Sequence, residues 1–236
     1  MKYVMSDVHG NFEKYIEMLE LIDFKEEDEL YILGDIFDRG DNPLGILEHI
    51  QKHKNIHLIK GNHEQMYVEC YEDEFRDIYS WLCNGGAVTY EQIINKGYDY
   101  MVKLYEYLKR LPYIKIVDKF ILVHAGLYLP SNTNDLTLDE LLELQEEDIC
   151  LWTRANIDKE RQFKDYTIIS GHSAVQGIVK NLDGKILHRD GHIYIDCGLQ
   201  TVTNGGYLSC LRLDDLKEFY VSKNSLGSES IKEYNK

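Results

Sequence analysis

The chain predicts a mixed α/β fold, on two observations. Between residues 2 and 60, strand-like apolar runs alternate with amphipathic helical runs, the pattern of a parallel sheet covered by helices. The second half strings short strands between turn signals, the pattern of a mostly antiparallel sheet.

In chain order, Lys2–Met5 reads as a strand, Asn11–Ile22 as a helix, Leu30–Leu33 as a strand, Pro43–Lys52 as a helix and Ile56–Lys60 as a strand. Pro43 suits a first helical turn, where its missing N–H is no loss. Leu44, Leu47 and Ile50 repeat at helical spacing. From Glu64 to Arg110 no strand is legible. Two or three helices, broken near Asn84-Gly85-Gly86 and Lys96-Gly97, form a helical insert at about 64–110. Simple packing and substrate shaping are equally good readings of it. Its many tyrosines are expected to be half-buried packing residues.

Tyr113–Val117 and Phe120–Val123 pair across Asp118-Lys119, Leu136–Cys150 is expected as a helix, and Thr167–Ser170 as a strand. Ile178–Leu182 and Lys185–His188 flank Asp183-Gly184, a hairpin signal because Asp-Gly tolerates the positive φ angles of a tight turn. His192–Asp196, Tyr207–Leu213 and Glu218–Val221 add strands, and the polar Asn224–Lys236 is expected to fray. With no internal repeat and no long linker, residues 1–236 read as a single domain.

Composition narrows the function classes. The formal net charge is −15, from 26 basic and 41 acidic residues, which disfavours a nucleic acid held by its backbone. The acidic runs Glu26–Glu29 and Glu143–Asp148 read as solvated surface. No apolar run approaches the ~18 residues of a membrane span, and Met1 leads straight into the first strand, so neither membrane partner nor signal peptide is expected. Five scattered cysteines point to reduced thiols in a cytoplasm. Cys70 and Arg76 have the Cys-x5-Arg spacing of a phosphate-binding thiol loop. The intervening residues carry three acids and no glycine, so the loop would repel phosphate.

The chemistry is concentrated in five blocks: Ser6-Asp7-Val8-His9-Gly10, Gly34-Asp35-Ile36-Phe37-Asp38-Arg39-Gly40, Gly61-Asn62-His63-Glu64, His124-Ala125-Gly126 and Gly171-His172. Most follow a strand, and side chains just past the ends of parallel strands converge on one crevice. A crevice lined by Asp7, His9, Asp35, Asn62, His124 and His172 offers three imidazoles, two carboxylates and an amide oxygen. That donor set, without thiolate, suits Mn²⁺, Fe²⁺ or Zn²⁺. His49, His53, His57, His188 and His192 lie outside the blocks and read as surface or structural.

Together the blocks resemble the phosphoprotein phosphatase family of binuclear metallophosphoesterases, in its bacterial and phage branch. The likeness runs from Asp7 to about Asp196, roughly four-fifths of the chain. Gly-Asp-x-x-Asp-Arg-Gly followed by Gly-Asn-His-Glu is its most specific part, and Trp81-x-x-Asn84-Gly85-Gly86-x-x-Thr89 also fits that branch. The resemblance implies two face-packed mixed β-sheets flanked by helices, the four-layer metallophosphoesterase sandwich. It implies two divalent metals, with Mn²⁺ the first choice and Fe or Zn the others. Asp7 and His9 would hold one metal, Asp35 would bridge, and Asn62, His124 and His172 would complete the second. Arg39 would grip phosphate, as would Arg154 in Trp152-Thr153-Arg154. His63 would be the general acid, oriented by Asp38.

The chemistry fits those residue types. Two dications about 3.5–4 Å apart clamp phosphate oxygens and activate water. A neutral Asn62 keeps the site cationic inside an acidic shell, and each arginine offers phosphate a planar fork. The resulting expectation is a phosphomonoesterase in which a metal-bridging hydroxide attacks in line, acting on phosphoserine or phosphothreonine in proteins, with phosphotyrosine or a small phosphoester as further options. Two alternatives stand beside it. One is a symmetrical bis-nucleoside tetraphosphate hydrolase, which shares the blocks but often has Asp where this chain has Glu64. The other is an inactive phosphate-binding module. The oligomeric state is not legible.

Overall fold

The structure, a computed structural model, describes residues 1–72, 78–154, 163–179, 183–200 and 205–224. The N-terminal unit runs β1 (Lys2–Met5), α1 (Phe12–Leu21), β2 (Glu29–Ile32), α2 (Pro43–Lys52) and β3 (Ile56–Leu58). These strands pair in parallel as expected, Tyr3 opposite Leu30 and Leu30 opposite Ile56. Pro43 opens α2, and the Asn42 side chain accepts a hydrogen bond from Gly45 N–H, capping the helix.

The insert holds α3 (Asn62–Glu72), α4 (Ile78–Trp81), α5 (Ala87–Lys96) and α6 (Tyr98–Lys109). It breaks where the sequence suggested. The chain kinks within Leu82–Gly86, where Gly85 has the non-helical φ 102, and Gly97 at φ 87 separates α5 from α6.

Beyond the insert come β4 (Ile114–Val117), β5 (Phe120–Val123), α7 (Leu138–Glu143), α8 (Glu147–Trp152), β6 (Thr167–Ser170), α9 (Val175–Ile178), β7 (Leu187–Arg189), β8 (His192–Tyr194), β9 (Tyr207–Arg212) and β10 (Glu218–Ser222). One sheet has the order β10-β9-β1-β2-β3, the other β4-β5-β6-β8-β7. Both are mixed. The second half is therefore not one antiparallel sheet: β5, β6 and β8 run parallel, while β9 and β10 join β1 antiparallel and close the edge of the first sheet.

Side-chain alternation builds the layers. Tyr3, Met5, Leu30 and Ile32 face α1 and α2 on one side of the first sheet. Val4, Tyr31 and Leu33 face the other way, onto Phe120, Leu122 and Ile169 of the second sheet. Ile121, Val123 and Ile168 cover the outer face against Leu141 and Cys150 of α7 and α8. The result is helices, sheet, sheet, helices, with each buried aliphatic side chain contributing about 1.5–3 kcal/mol.

Two local expectations shift. β7 and β8 pair across Asp190-Gly191, with Gly191 at φ 72; of the hairpin expected around Asp183-Gly184, Ile178 ends α9 and residues 180–182 lie outside the described residues. Leu136–Cys150 is two short helices instead of one. Thr137 and Glu140 form a capping box for α7, and the chain breaks at Gln145, whose amide bonds to both Tyr128 N–H and Tyr128 C=O. Residues 225–236, expected to fray, and Arg76 lie outside the described residues. Among the described residues no helix is long and apolar enough to cross a membrane.

Candidate active site

The five blocks converge at the strand ends. Their backbone is strained in a concerted way: Asp7, His9, Asp35, Asp38, Arg39 and His172 all have φ between 46° and 70°. Non-glycine residues there cost on the order of 1–3 kcal/mol each and persist only when the surroundings over-determine them. Here neighbouring blocks hold one another: His9 N–H donates to Asp35 C=O at 2.8 Å, Gly10 N–H to Ile36 C=O at 2.9 Å and Arg39 N–H to Gly85 C=O at 3.0 Å. Glycine is required beside the carboxylates. A Cβ on Gly171 would meet Asp7 Oδ2 at 2.1 Å, and one on Gly61 would meet Asp35 Oδ1 at 2.3 Å.

The ring nitrogens are aimed by their partners. His9 Nδ1–H donates to Phe37 C=O at 2.9 Å, which turns its Nε2 towards Asp35 Oδ2 at 3.7 Å. His124 Nδ1–H donates to Leu33 C=O at 2.6 Å, which turns its Nε2 towards Asn62 Oδ1 at 2.8 Å and Asp35 Oδ1 at 3.4 Å. His172 Nδ1 lies 3.0 Å from the same Asn62 oxygen, while its Nε2 is buried without a hydrogen-bond partner. Lone pairs facing a carbonyl oxygen and carboxylates need a cation between them, and this tautomer arrangement is the one metal-binding imidazoles use.

Two groups of donor atoms are close enough to hold an ion: His9, Asp35 and His63, and Asp35, His124 and His172. Asp35 belongs to both. His63 stands in the first group where the sequence expectation had Asp7, whose two oxygens accept from His172 N–H at 3.0 and 3.2 Å. Burial, then Asp7 and Glu64, push the Asp35 carboxyl well above its usual range, so the cluster is short of positive charge. Burial, His63 and Arg39 hold His9 well below its usual value, and burial takes His172 down to about 2. The donor set fits divalent cations.

Beside this cluster, His63 Nδ1 bonds Asp38 Oδ2 at 2.5 Å, and His63 Nε2 faces the crevice, 3.9 Å from Asp35 Oδ2. The exposed Arg39 reaches back over both imidazoles, with Nη1 2.6 Å from His9 Nε2 and Nη2 3.0 Å from His63 Nε2. Arg154 is exposed at the crevice edge, its Nε donating to Ser173 Oγ at 3.2 Å next to His172.

Several contributors escaped the sequence reading. Asp38 accepts from Trp81 Nε1 at 2.9 Å and from Thr89 Oγ1 at 2.6 Å, so the helical insert buttresses the His63–Asp38 pair. Burial raises Asp38 to about 6 against those two bonds. Glu64, completely buried, accepts from the N–H groups of Asp35, Ile36, Phe37 and Gly61 at 2.8–3.3 Å. Its position three residues after Gly61 was visible, but not its reach to the Asp35 block. Lys60, 3% exposed at its side chain, pairs with Glu147 at 2.5 Å and ties the Asn62 block to α8, so the acidic run there is not all solvated surface. Buried His192 hydrogen-bonds Ser170, and His49, His53, His57 and His188 partner one another or neighbouring groups, in keeping with structural roles.

A sequence profile of calcineurin-like phosphoesterases matches residues 3–201. The chain belongs to that family. Two relatives of this metallophosphoesterase are symmetrical bis(5'-nucleosyl)-tetraphosphatases. The one from Wigglesworthia glossinidia brevipalpis is 29% identical over 142 residues, 57% of this chain and 47% of its own. The one from Chromobacterium violaceum is 29% identical over 147 residues, 61% of this chain and 48% of its own. The chain thus spans about half the length of the curated relatives it matches. Among solved structures it is similar to a putative diadenosine tetraphosphatase (TM-score 0.65, 18% identity, covering 94% of this chain and 92% of that one). It is also similar to a protein serine/threonine phosphatase from Saccharomyces cerevisiae (TM-score 0.59, 14% identity, covering 98% and 82%). These likenesses establish the fold.

Proposed function

We propose that this calcineurin-like phosphoesterase is a metal-dependent hydrolase of symmetrical bis-nucleoside tetraphosphates, splitting the four-phosphate bridge into two nucleoside diphosphates. The reading is carried by the similarity to tetraphosphatases over more than half of this chain. The sequence ordering put a protein serine/threonine phosphatase first and the tetraphosphatase second; the relatives reverse that order. The inactive-module alternative draws no support from a crevice in which every expected side chain is present.

Asp7, His9, Asp35, Asn62, His124 and His172 would hold two divalent cations, with Asp35 shared between them. Such cations supply a Lewis-acid clamp on phosphate oxygens and a water of lowered pKa. The chain's own residues then do three things. Arg39, poised between His9 and His63, offers a planar fork to the oxygens of the phosphoryl group, and Arg154 offers a second from the crevice edge. His63 presents Nε2 to the leaving oxygen as the proton-carrying atom. Asp38 fixes the ring's orientation through Nδ1.

The test is a side-by-side assay of diadenosine tetraphosphate and a phosphoserine peptide with added Mn²⁺. The expected result is faster turnover of the tetraphosphate, with ADP as the nucleotide product and loss of activity in EDTA. Faster peptide dephosphorylation would overturn the substrate assignment.

A further inference from the structure

Among the described residues most large aromatic side chains are buried or half-buried; Trp152, like Tyr79, Tyr98 and Tyr128, is exposed, at 41%. It stands at the C-terminal end of α8, with its ring edge-on to His172 at 6.2 Å between centroids and 85° between planes. Two residues on, Arg154 is held beside the same histidine through Ser173. One wall of the crevice therefore carries, in sequence, a partly bare indole and an exposed guanidinium anchored through its Nε, next to an expected ligand of the cation cluster. Its placement is not accidental to the packing. Ala125 N–H donates to Cys150 C=O at 2.8 Å, Lys60 clamps Glu147 at the start of α8, and Gln145 locks the preceding turn onto Tyr128. α8 is thus fixed at two points to segments beside His124 and Asn62, and the turn before it at a third, and the indole is left at the crevice rim.

We infer that Trp152 is a stacking platform for the base of a nucleotide whose phosphates are gripped by Arg154 and Arg39. The inference rests on the tetraphosphatase reading for the choice of a nucleotide as occupant. An indole face presents a π surface to any of the bases, so the platform would select for a base without selecting among bases. The acidic character of the chain, −15 overall, leaves the arginine wall as the local anion-attracting surface beside the indole.

The optical readout is unusually clean. The chain has two tryptophans, and the other, Trp81, is 2% exposed and bonded to Asp38. The experiment uses ADP and inorganic pyrophosphate as probes, each with the same Mn²⁺ concentration, on wild type, Trp152→Phe and Trp152→Leu. In wild type, ADP binds more tightly than pyrophosphate and quenches tryptophan emission, while pyrophosphate leaves emission unchanged. In Trp152→Leu, ADP affinity falls about 5- to 140-fold, the size of one base–aromatic stack, pyrophosphate affinity holds within about twofold, and Trp152→Phe recovers most of the ADP affinity. Equal losses for both probes would make Trp152 a structural residue. No preference for ADP in wild type, or none lost in Trp152→Leu, would overturn the platform. Turnover of diadenosine tetraphosphate, measured in parallel, separates the two readings. ADP-specific quenching without turnover keeps the platform and removes the tetraphosphatase, and turnover with unchanged KM in Trp152→Leu does the reverse.

Discussion

The Glu64 carboxylate reaches across to the Asp35 block: its Oε2 accepts from Asp35 N–H at 2.8 Å, and its Oε1 from Ile36 N–H at 3.0 Å. Asp35 needs a left-handed backbone at φ 53 to aim its side chain into the crevice, and Glu64 is what satisfies the N–H groups exposed by that turn. Glu64→Gln puts an amide NH₂ against backbone donors in a site with no room to rearrange. It should destabilise the fold by about 2–3 kcal/mol and lower affinity for Mn²⁺, measured by urea denaturation and by metal titration. Glu64→Asp keeps the charge and should lie between the two. Wild-type stability and metal affinity in Glu64→Gln would show that the staple is dispensable.

Asp35 is shared by both donor groups, so its loss weakens both at once. Asp35→Asn should cut metal affinity and turnover by more than about 100-fold, beyond the 10–100-fold typical of residues that only support a metal ligand. EDTA treatment of wild type should abolish turnover, and Mn²⁺ should restore it. Metal analysis of the purified variant is the check; two bound metals and a normal rate would remove the bridging role.

His63 and Asp38 are expected to matter in proportion to how basic the leaving oxygen is. A nucleoside diphosphate or nitrophenolate leaves without much help, whereas a serine alkoxide does not. His63→Asn should lose about 10²–10⁴-fold on a phosphoserine peptide and much less on p-nitrophenyl phosphate or diadenosine tetraphosphate. Asp38→Asn should show a milder form of the same pattern. Equal losses on all three substrates would reduce His63 to a positioning role.

His192 sets a pH dependence of stability away from the crevice chemistry. Burial holds it neutral, down to about 3 from an ordinary 6.5, with its ring stacked on Tyr194 and hydrogen-bonded to Ser170. The unfolded chain therefore takes up a proton below pH 6.5 that the folded chain refuses. The contribution is fully present above pH 6.5 and is lost as pH falls towards 3, by about 1.4 kcal/mol per pH unit. His192→Gln keeps a polar partner for Ser170 and does not titrate. Its denaturation midpoint should fall less steeply than wild type between pH 6.5 and 5; parallel curves would place the pH dependence elsewhere.

What the sequence by itself determined was local. The alternating runs of Lys2–Leu58 specify a parallel β-α-β-α-β unit, because period-two and helical apolar patterns bury only in that form. The ligand-type residues were legible because the five blocks sit at strand ends, where short spacing and glycine are readable in one dimension. Tertiary structure decided everything that depends on which distant segments meet. Asp183-Gly184 and Asp190-Gly191 carry the same turn chemistry. The second joins β7 to β8, whose Ile193 pairs with Ile169 deep between the sheets. Likewise no pattern within Tyr207–Arg212 names its partner; it docks antiparallel on β1 with Tyr3 opposite Arg212, and Phe219 of the following β10 packs on the Tyr3 ring. The reach of Glu64 to Asp35, of Trp81 and Thr89 to Asp38, and of Lys60 to Glu147 spans 29 to 87 residues of chain. No periodicity encodes such contacts; they exist because burying a carboxylate or ammonium is costly unless a partner is buried with it.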